Sequence, residues 1–217
     1  MNEEFIKVRR HPERASYNKE LLLDILYNNF VCNVSFQEMG QPFIIPMAYY
    51  SDENFIYLHG SPSSRIISHL REKRKICISV LEINGIVLAK GIADNSINYR
   101  SALVFGRATE VERAEEKARM FAEWIERMLP GRLSDSVMPD DDELRSVSVF
   151  KIPLRTFSIK VRDSGPIEKR TNPNIWTGVI PIIRIYGKPT YSSGDPPDYI
   201  KKIIEDKNRI AADFPIK

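Results

Sequence analysis

Apolar and polar residues alternate along much of this chain, and a two-residue period predicts strands with one face buried. Residues 30–36 set Val and Phe against small polar groups, as a half-buried strand does. A turn at Gly40-Gln41-Pro42 leads into a second strand at 43–50. The turn Ser51-Asp52-Glu53-Asn54 leads into a third at 55–59. Residues 75–82 form an apolar strand, Asn84-Gly85 predicts a type I′ hairpin turn, and 86–89 return from it. Residues 100–111 read as a long strand with Gly106 as a bulge. Phe157, Ile159 and Val161, alternating with Ser158 and Lys160, mark a last one.

The period changes to that of a helix in two places. Leu21, Leu22, Ile25 and Leu26 give residues 17–28 an apolar stripe, stopped by Asn28-Asn29. In residues 112–129 the stripe is Met120, Phe121, Trp124, Ile125, Met128 and Leu129, closed by Pro130-Gly131 and read as packing. The acidic run 139–143 reads as an exposed loop or a helix start. Beyond Arg162 the texture turns to Asn172-Pro173, Pro181, Pro189 and Asp195-Pro196-Pro197, which suits an arm lying on another surface. The expected fold is mainly β with α, a small antiparallel barrel or sandwich with tight turns. Residues 1–217 form one domain, with 163–217 as a C-terminal arm packing on the barrel or on a partner subunit.

Charge narrows the function. Against 29 Asp and Glu stand 32 Lys and Arg, interspersed and giving a net +3. That balance gives no electrostatic case for nucleic acid. No stretch approaches the ~18 apolar residues of a membrane span, and residues 1–10 lack the features of a secretory signal. Cys32 and Cys77, the only cysteines, lie in apolar strand-like runs and read as buried free thiols, so a cytoplasmic, soluble protein is expected.

Three segments carry candidate chemistry. After the strand ending at His59, Gly60 permits a change of direction, Ser61 has N-cap chemistry and Pro62 suits a first helical position. Ile66, Ile67 and Leu70 continue at helical spacing. Ser63, Ser64 and Arg65 put hydroxyls and a fork-shaped cation at that helix start, so the segment is either a phosphate cradle or a well-capped surface helix. It is neither a P-loop nor a dinucleotide glycine fingerprint. Asn98-Tyr99-Arg100-Ser101 sets an aromatic, a guanidinium and a hydroxyl where a loop enters a strand, suiting a planar anionic ligand or an ordinary strand start. Trp176-Thr177-Gly178-Val179-Ile180-Pro181 places a Trp in the arm, where it covers a ring system, a partner subunit or the barrel itself.

In this order the three segments resemble those of the pyridoxamine 5′-phosphate oxidase-like flavoproteins, particularly the branch of nitroimidazole-resistance and flavin-nucleotide-binding proteins. Arg9-Arg10, Arg14-Ala15, Ile45-Pro46-Met47-Ala48-Tyr49, Phe105-Gly106 and Leu129-Pro130-Gly131-Arg132 extend the likeness over nearly the whole chain. The resemblance implies a six-stranded antiparallel split β-barrel with flanking helices, a homodimer holding FMN at the subunit interface. It implies that Ser64 and Arg65 hold the phosphate, with Gly60 and Ser61 as further cofactor-binding residues, and that backbone groups of Pro46, Met47 and Ala48 pass beside the flavin ring. His59 falls on a cofactor-facing strand position, Tyr99, Arg100 and Ser101 at a junction reaching the flavin, and Trp176 on an arm approaching it. The true oxidases carry a basic residue after the second strand and an Arg-Lys pair at the phosphate. Here Tyr49-Tyr50 and Arg65-Ile66 stand instead, which argues against vitamin B6 oxidation. A related branch binds haem through a histidine, for which His59 and His69 are available.

With FMN bound, the expected function is an oxidoreductase acting on a small molecule, nitroreductase-like or related to the pyridoxamine-phosphate oxidases. His59 is the candidate catalytic proton-transfer group, or a structural histidine. The alternative is a non-catalytic flavin-binding carrier or sensor. No Ser-His-Asp set, carboxylate pair or metal-ligand cluster supports a hydrolase or a metalloenzyme.

Overall fold

A two-residue burial period does build most of the molecule. The computed structural model describes residues 3–167, 169–190 and 194–212. Its elements run β1 (Ala15–Ser16), α1 (Lys19–Tyr27), β2 (Val31–Glu38), β3 (Gln41–Ser51), β4 (Phe55–Gly60), α2 (Arg65–Arg71), β5 (Lys75–Leu88), β6 (Ser96–Arg107) and β7 (Thr109–Glu110). Then follow α3 (Ala114–Met128), α4 (Asp141–Ser146), β8 (Ser148–Pro153), β9 (Phe157–Arg162), β10 (Gly178–Pro181) and α5 (Asp198–Ala212). The sheet order is β1-β9-β6-β5-β2-β3-β4-β8-β7, with β10 on β5. The antiparallel sheet with flanking helices is as expected, but it has ten strands among the described residues, not six. Short edge strands account for part of the excess: β1 and β7 have two residues each and β10 has four.

The chain divides into two units. The first holds the described residues up to Glu82, Arg100–Trp124 and Val137–Arg162. The second holds Ile83–Tyr99, Ile125–Ser136 and the described residues from Asp163 onward, while 213–217 of the expected arm lie outside the described residues. In the first unit, Asn18 caps α1 by accepting from the backbone N–H of Leu21 at 2.7 Å. α1 buries Leu22, Ile25 and Leu26 against Cys32, Val34 and Phe36 of β2, Tyr49 of β3 and Ile56 and Leu58 of β4. The Tyr49 hydroxyl donates to the Leu26 carbonyl at 2.7 Å, pairing a polar tip inside this core. Burial pushes the Cys32 thiol up to about 12, the state of an inert core thiol. A second cluster, Tyr57, Val111, Met120 and Val149, sits on the other face of β4 and β8, with Phe121 and Trp124 of α3 packed on it.

The second unit contains the β5–β10 ladder, in which Gly178 to Pro181 pair with Leu88 to Gly85. The type I′ turn expected at Asn84-Gly85 is overturned, because β5 runs straight through it. A Cβ on Gly85 would lie 2.9 Å from Val179 Cγ1 and 3.1 Å from the Ile180 carbonyl oxygen. This glycine serves the close approach of a neighbouring strand rather than a turn. α5 docks on its own unit through Asn208, whose side chain accepts from the Tyr186 N–H at 2.7 Å and donates to its carbonyl at 2.9 Å.

The two-residue hairpin turn lies instead at Met39-Gly40, where Glu38 faces Gln41 and both turn residues have positive φ, 48° and 79°. Gly106 lies within β6, where its missing side chain makes room for Ile152, whose Cγ2 would be 2.8 Å from a Cβ. The strand β8 carries no alternation to read, because Val149 and Phe150 are buried on opposite faces.

Candidate functional site

β3 and β4 pair at Tyr49–Leu58, Tyr50–Tyr57 and Ser51–Ile56, and there the ladder ends. Continued, the same register would set Ala48, Met47 and Pro46 across from His59, Gly60 and Ser61. Instead β4 pairs onward only with β8, His59 with Val149 and Gly60 with Ser148. β2 covers the other side of β3 through Asn33–Pro46, Cys32–Met47 and Val31–Ala48. One edge of β3 along Pro46, Met47 and Ala48 is therefore without a strand partner among the described residues. Beyond His59 and Gly60, β4 runs into the turn at residues 61–64. The side chains divide by strand parity: Met47 is buried in the core, Pro46 is exposed and Ala48 is half-buried.

That turn departs from its expected form. The Ser64 N–H donates to the Ser61 carbonyl at 2.9 Å, closing a β-turn with Pro62 at its second position. The helix begins three residues later than expected, with Ser64 and not Ser61 as its N-cap. The Ser64 hydroxyl makes no capping bond, and its oxygen is buried without a partner among the described residues. Gly60 lies beside it, and a Cβ there would stand 3.8 Å from Ser64 Oγ. The Ser61 and Ser63 hydroxyls meet at 3.0 Å.

Arg65 follows with its guanidinium 4.5 Å above the Phe43 ring and its Nε 3.3 Å from Glu38. Phe43 stacks on Phe36 at 5.4 Å, and Phe36 meets His69 of α2 at 4.6 Å. Arg65 and His69, one helical turn apart, thus bracket the two phenylalanines of the β2–β3 hairpin. His69 is 4% exposed, and its Nε2 is buried without a partner among the described residues. Burial holds its pKa below the ordinary histidine value, only partly opposed by a backbone bond to Lys75. A depressed folded value means that the unfolded chain binds the proton first. The stability this neutral ring confers is present above about pH 6.5 and is lost as pH falls toward the folded value. Urea unfolding near pH 7 and near pH 5.5 should show that loss, at up to about 1.4 kcal/mol per pH unit, and His69→Phe should flatten it. Equal pH slopes in the two proteins would remove His69 from the account.

His59 points to the other face of β4. Its ring lies 5.3 Å from Phe121 and 5.1 Å from Trp124 of α3, and burial lowers its pKa, favouring the neutral ring. Neither ring nitrogen hydrogen-bonds within the chain among the described residues. The Trp124 indole N–H beside it is also buried without a partner. Phe121 and Trp124 were read from their helical spacing as packing only. Their nearness to His59 follows from the α3–β4 contact, which no local pattern announces.

The second expected cluster is elsewhere in the sheet. Arg100, on β6 and so two strands removed from β3, is bound by Glu82 and by Asp24. Burial opposes its charge, but the bonds to these carboxylates outweigh that and raise its pKa. Glu82 is almost fully buried and also accepts from the Asn29 amide at 2.7 Å. The Arg100 site expected for a ligand is occupied by the protein's own carboxylates. The Ser101 hydroxyl leans toward the Lys160 carbonyl at 3.4 Å. Of the expected site residues, Pro46, Met47 and Ala48 thus lie on β3, His59 and Gly60 on β4, Ser61 and Ser64 in the turn after it and Arg65 at the start of α2, while Arg100 and Ser101 lie on β6 with β5 and β2 between.

Tyr99 and Trp176 belong to the second unit. Tyr99 is half-buried on β6. The Trp176 ring lies on Gly178, where a Cβ would come within 2.8 Å of Cζ2, yet the residue is 64% exposed. Glycine seats the indole and leaves much of it open.

A family model described as pyridoxamine 5′-phosphate oxidase matches residues 18–161. The chain is similar to the flavocytochrome Anf3 from Azotobacter vinelandii, with 25% identity and a TM-score of 0.82 over 91% of this chain and 96% of that one. It is similar to an FAD and heme binding protein from Mycobacterium smegmatis, at 23% identity and TM-score 0.80, over 88% of this chain and 97% of that one. A candidate 5-nitroimidazole antibiotic resistance protein from Bacteroides thetaiotaomicron is similar at 23% identity and TM-score 0.58, over 68% and 86%. No curated protein matches. The likeness to the solved structures gives the chain the split-barrel fold, with the higher strand count already described.

Proposed function

The chain belongs to the pyridoxamine 5′-phosphate oxidase family, and from that membership we propose that it is an FMN-binding oxidoreductase of small molecules. The observation that carries the reading is the edge of β3 at Pro46, Met47 and Ala48 left without a strand partner, together with a Ser64 hydroxyl, next to Arg65 in the chain, that is buried without a partner among the described residues. A planar heterocycle with polar edges suits such an edge, and a phosphate suits the hydroxyl and the guanidinium. A bound flavin supplies the electron-transfer chemistry. The chain supplies backbone hydrogen bonds, an anion site and a neutral imidazole at His59 able to accept a proton.

The assembly proposed is a homodimer. It would hold FMN at the interface between the two copies, as the family resemblance implies. Ile180, Ile182, Ile183 and Ile185 of the second unit are 42–70% exposed, an apolar set that a second copy would cover. A cytoplasmic setting is proposed on the two free cysteines; no helix among the described residues is long and apolar enough to cross a membrane.

One observation favours a second reading, FAD with haem. The partnerless nitrogens of His59 between two aromatic rings suit an axial ligand, and two solved structures similar over about nine-tenths of this chain are named a flavocytochrome and an FAD and heme binding protein. The absorption spectrum of the purified protein separates the readings: flavin bands alone support the first, and an added Soret band lost in His59→Ala supports the second. NADH or NADPH oxidation with nitro or quinone acceptors then separates an enzyme from a carrier; no turnover with any pair would favour the carrier.

A further inference from the structure

We propose that Glu38 sets the affinity of the phosphate site by competing for Arg65. The inference rests on the reading of Ser64 and Arg65 as that site and concerns a residue that reading did not include. Glu38 ends β2, next to the Met39-Gly40 turn whose two positive φ angles fix a tight hairpin tip. The Gln37 amide donates to the Gly40 carbonyl across the tip at 3.3 Å. This places the Glu38 carboxylate 3.3 Å from Arg65 Nε, while Phe43 backs the guanidinium at 4.5 Å. The cation is therefore held in one plane by the ring and satisfied on one edge by an internal anion.

A phosphate reaching Arg65 meets two opposing effects. It must share or displace the carboxylate at the Nε edge, and it approaches a like charge. Both side chains are partly open to water, 53% exposed for Arg65 and 36% for Glu38, so the competition is modest and reversible. Its effect is confined to the phosphate end. The β3 edge proposed for the ring lies at Pro46–Ala48, away from the hairpin tip at residues 38–41.

The test compares FMN with riboflavin, which lacks the phosphate, in the wild type and in Glu38→Gln. Removing the charge while keeping the shape should tighten FMN about two- to five-fold and leave riboflavin unchanged. At about 1 M salt, where the screening length falls to ~3 Å, the gain should shrink toward none. An unchanged or weakened FMN affinity, an equal change for riboflavin, or a gain that persists at high salt would overturn the role of Glu38. A wild type that binds FMN no better than riboflavin would instead overturn the phosphate reading and this inference with it.

Discussion

Arg100→Ala should unfold this protein far more readily, by about 3 kcal/mol, while leaving the flavin affinity of the folded fraction close to that of the wild type. The basis is the burial of its partner. Glu82 is 6% exposed and its charge is met by the Arg100 guanidinium and the Asn29 amide. Without the guanidinium, a carboxylate in the interior keeps a single neutral donor, and it must stay desolvated or take up a proton. Asp24, the other partner, is about half exposed and rehydrates at little cost. Replacing Arg100 and Glu82 together by leucine should recover much of the loss, because the uncompensated charge is then gone. Urea denaturation of the wild type and the two variants measures this. If Arg100→Ala keeps its stability but loses flavin, Arg100 is a ligand residue as the sequence suggests, and its ion pairs are incidental.

Arg65→Ala should separate the two flavins. FMN affinity should fall by about 10- to 150-fold, the equivalent of ~1.5–3 kcal/mol for a charge-assisted bond, while riboflavin affinity stays near the wild-type value. Stability should change little, because the Arg65–Glu38 pair is solvent-exposed. The lost cation–π contact with Phe43 adds no more than about 1 kcal/mol at such a site. A small, selective loss would move the phosphate onto Ser64 and backbone N–H groups. Equal losses for both flavins would take it away from this turn.

The sequence made the strands legible where burial alternates, as in Cys32, Val34 and Phe36 of β2, and the helices where an apolar stripe keeps helical spacing, as Leu22, Ile25 and Leu26 do in α1. It misled where one residue type serves two geometries. Asn84-Gly85 has turn chemistry, but its glycine is used for contact with Val179 and Ile180, a partner about 95 residues away that no local pattern reveals. Ser61-Pro62 reads as a helix start and is a β-turn, because the carbonyl of Ser61 is taken by Ser64 three residues on. β8 was not read because both of its faces are buried, and α5 because the prolines before it suggest an extended arm.

The candidate site was legible in part for the same reason. Pro46 to Ala48 lie on β3, and His59 and Gly60 end the next strand, β4, so their place in the sheet follows from local strand and turn signals. The competition at Arg65 depends on Glu38 and Phe43, brought there by the fold of a different hairpin. The capture of Arg100 by Glu82 and Asp24 depends on β5 and α1, again outside its own segment. Local chemistry therefore suggested a ligand role for Arg100 where long-range packing supplies an internal partner.

Flavin binding by this chain is tested most directly by an equilibrium titration of free FMN followed by its fluorescence. The expected result is saturable quenching that ends near one flavin per chain, with the yellow colour travelling with the protein through gel filtration. Unquenched FMN at every protein concentration, eluting as free flavin from a protein that is folded by circular dichroism, would contradict it.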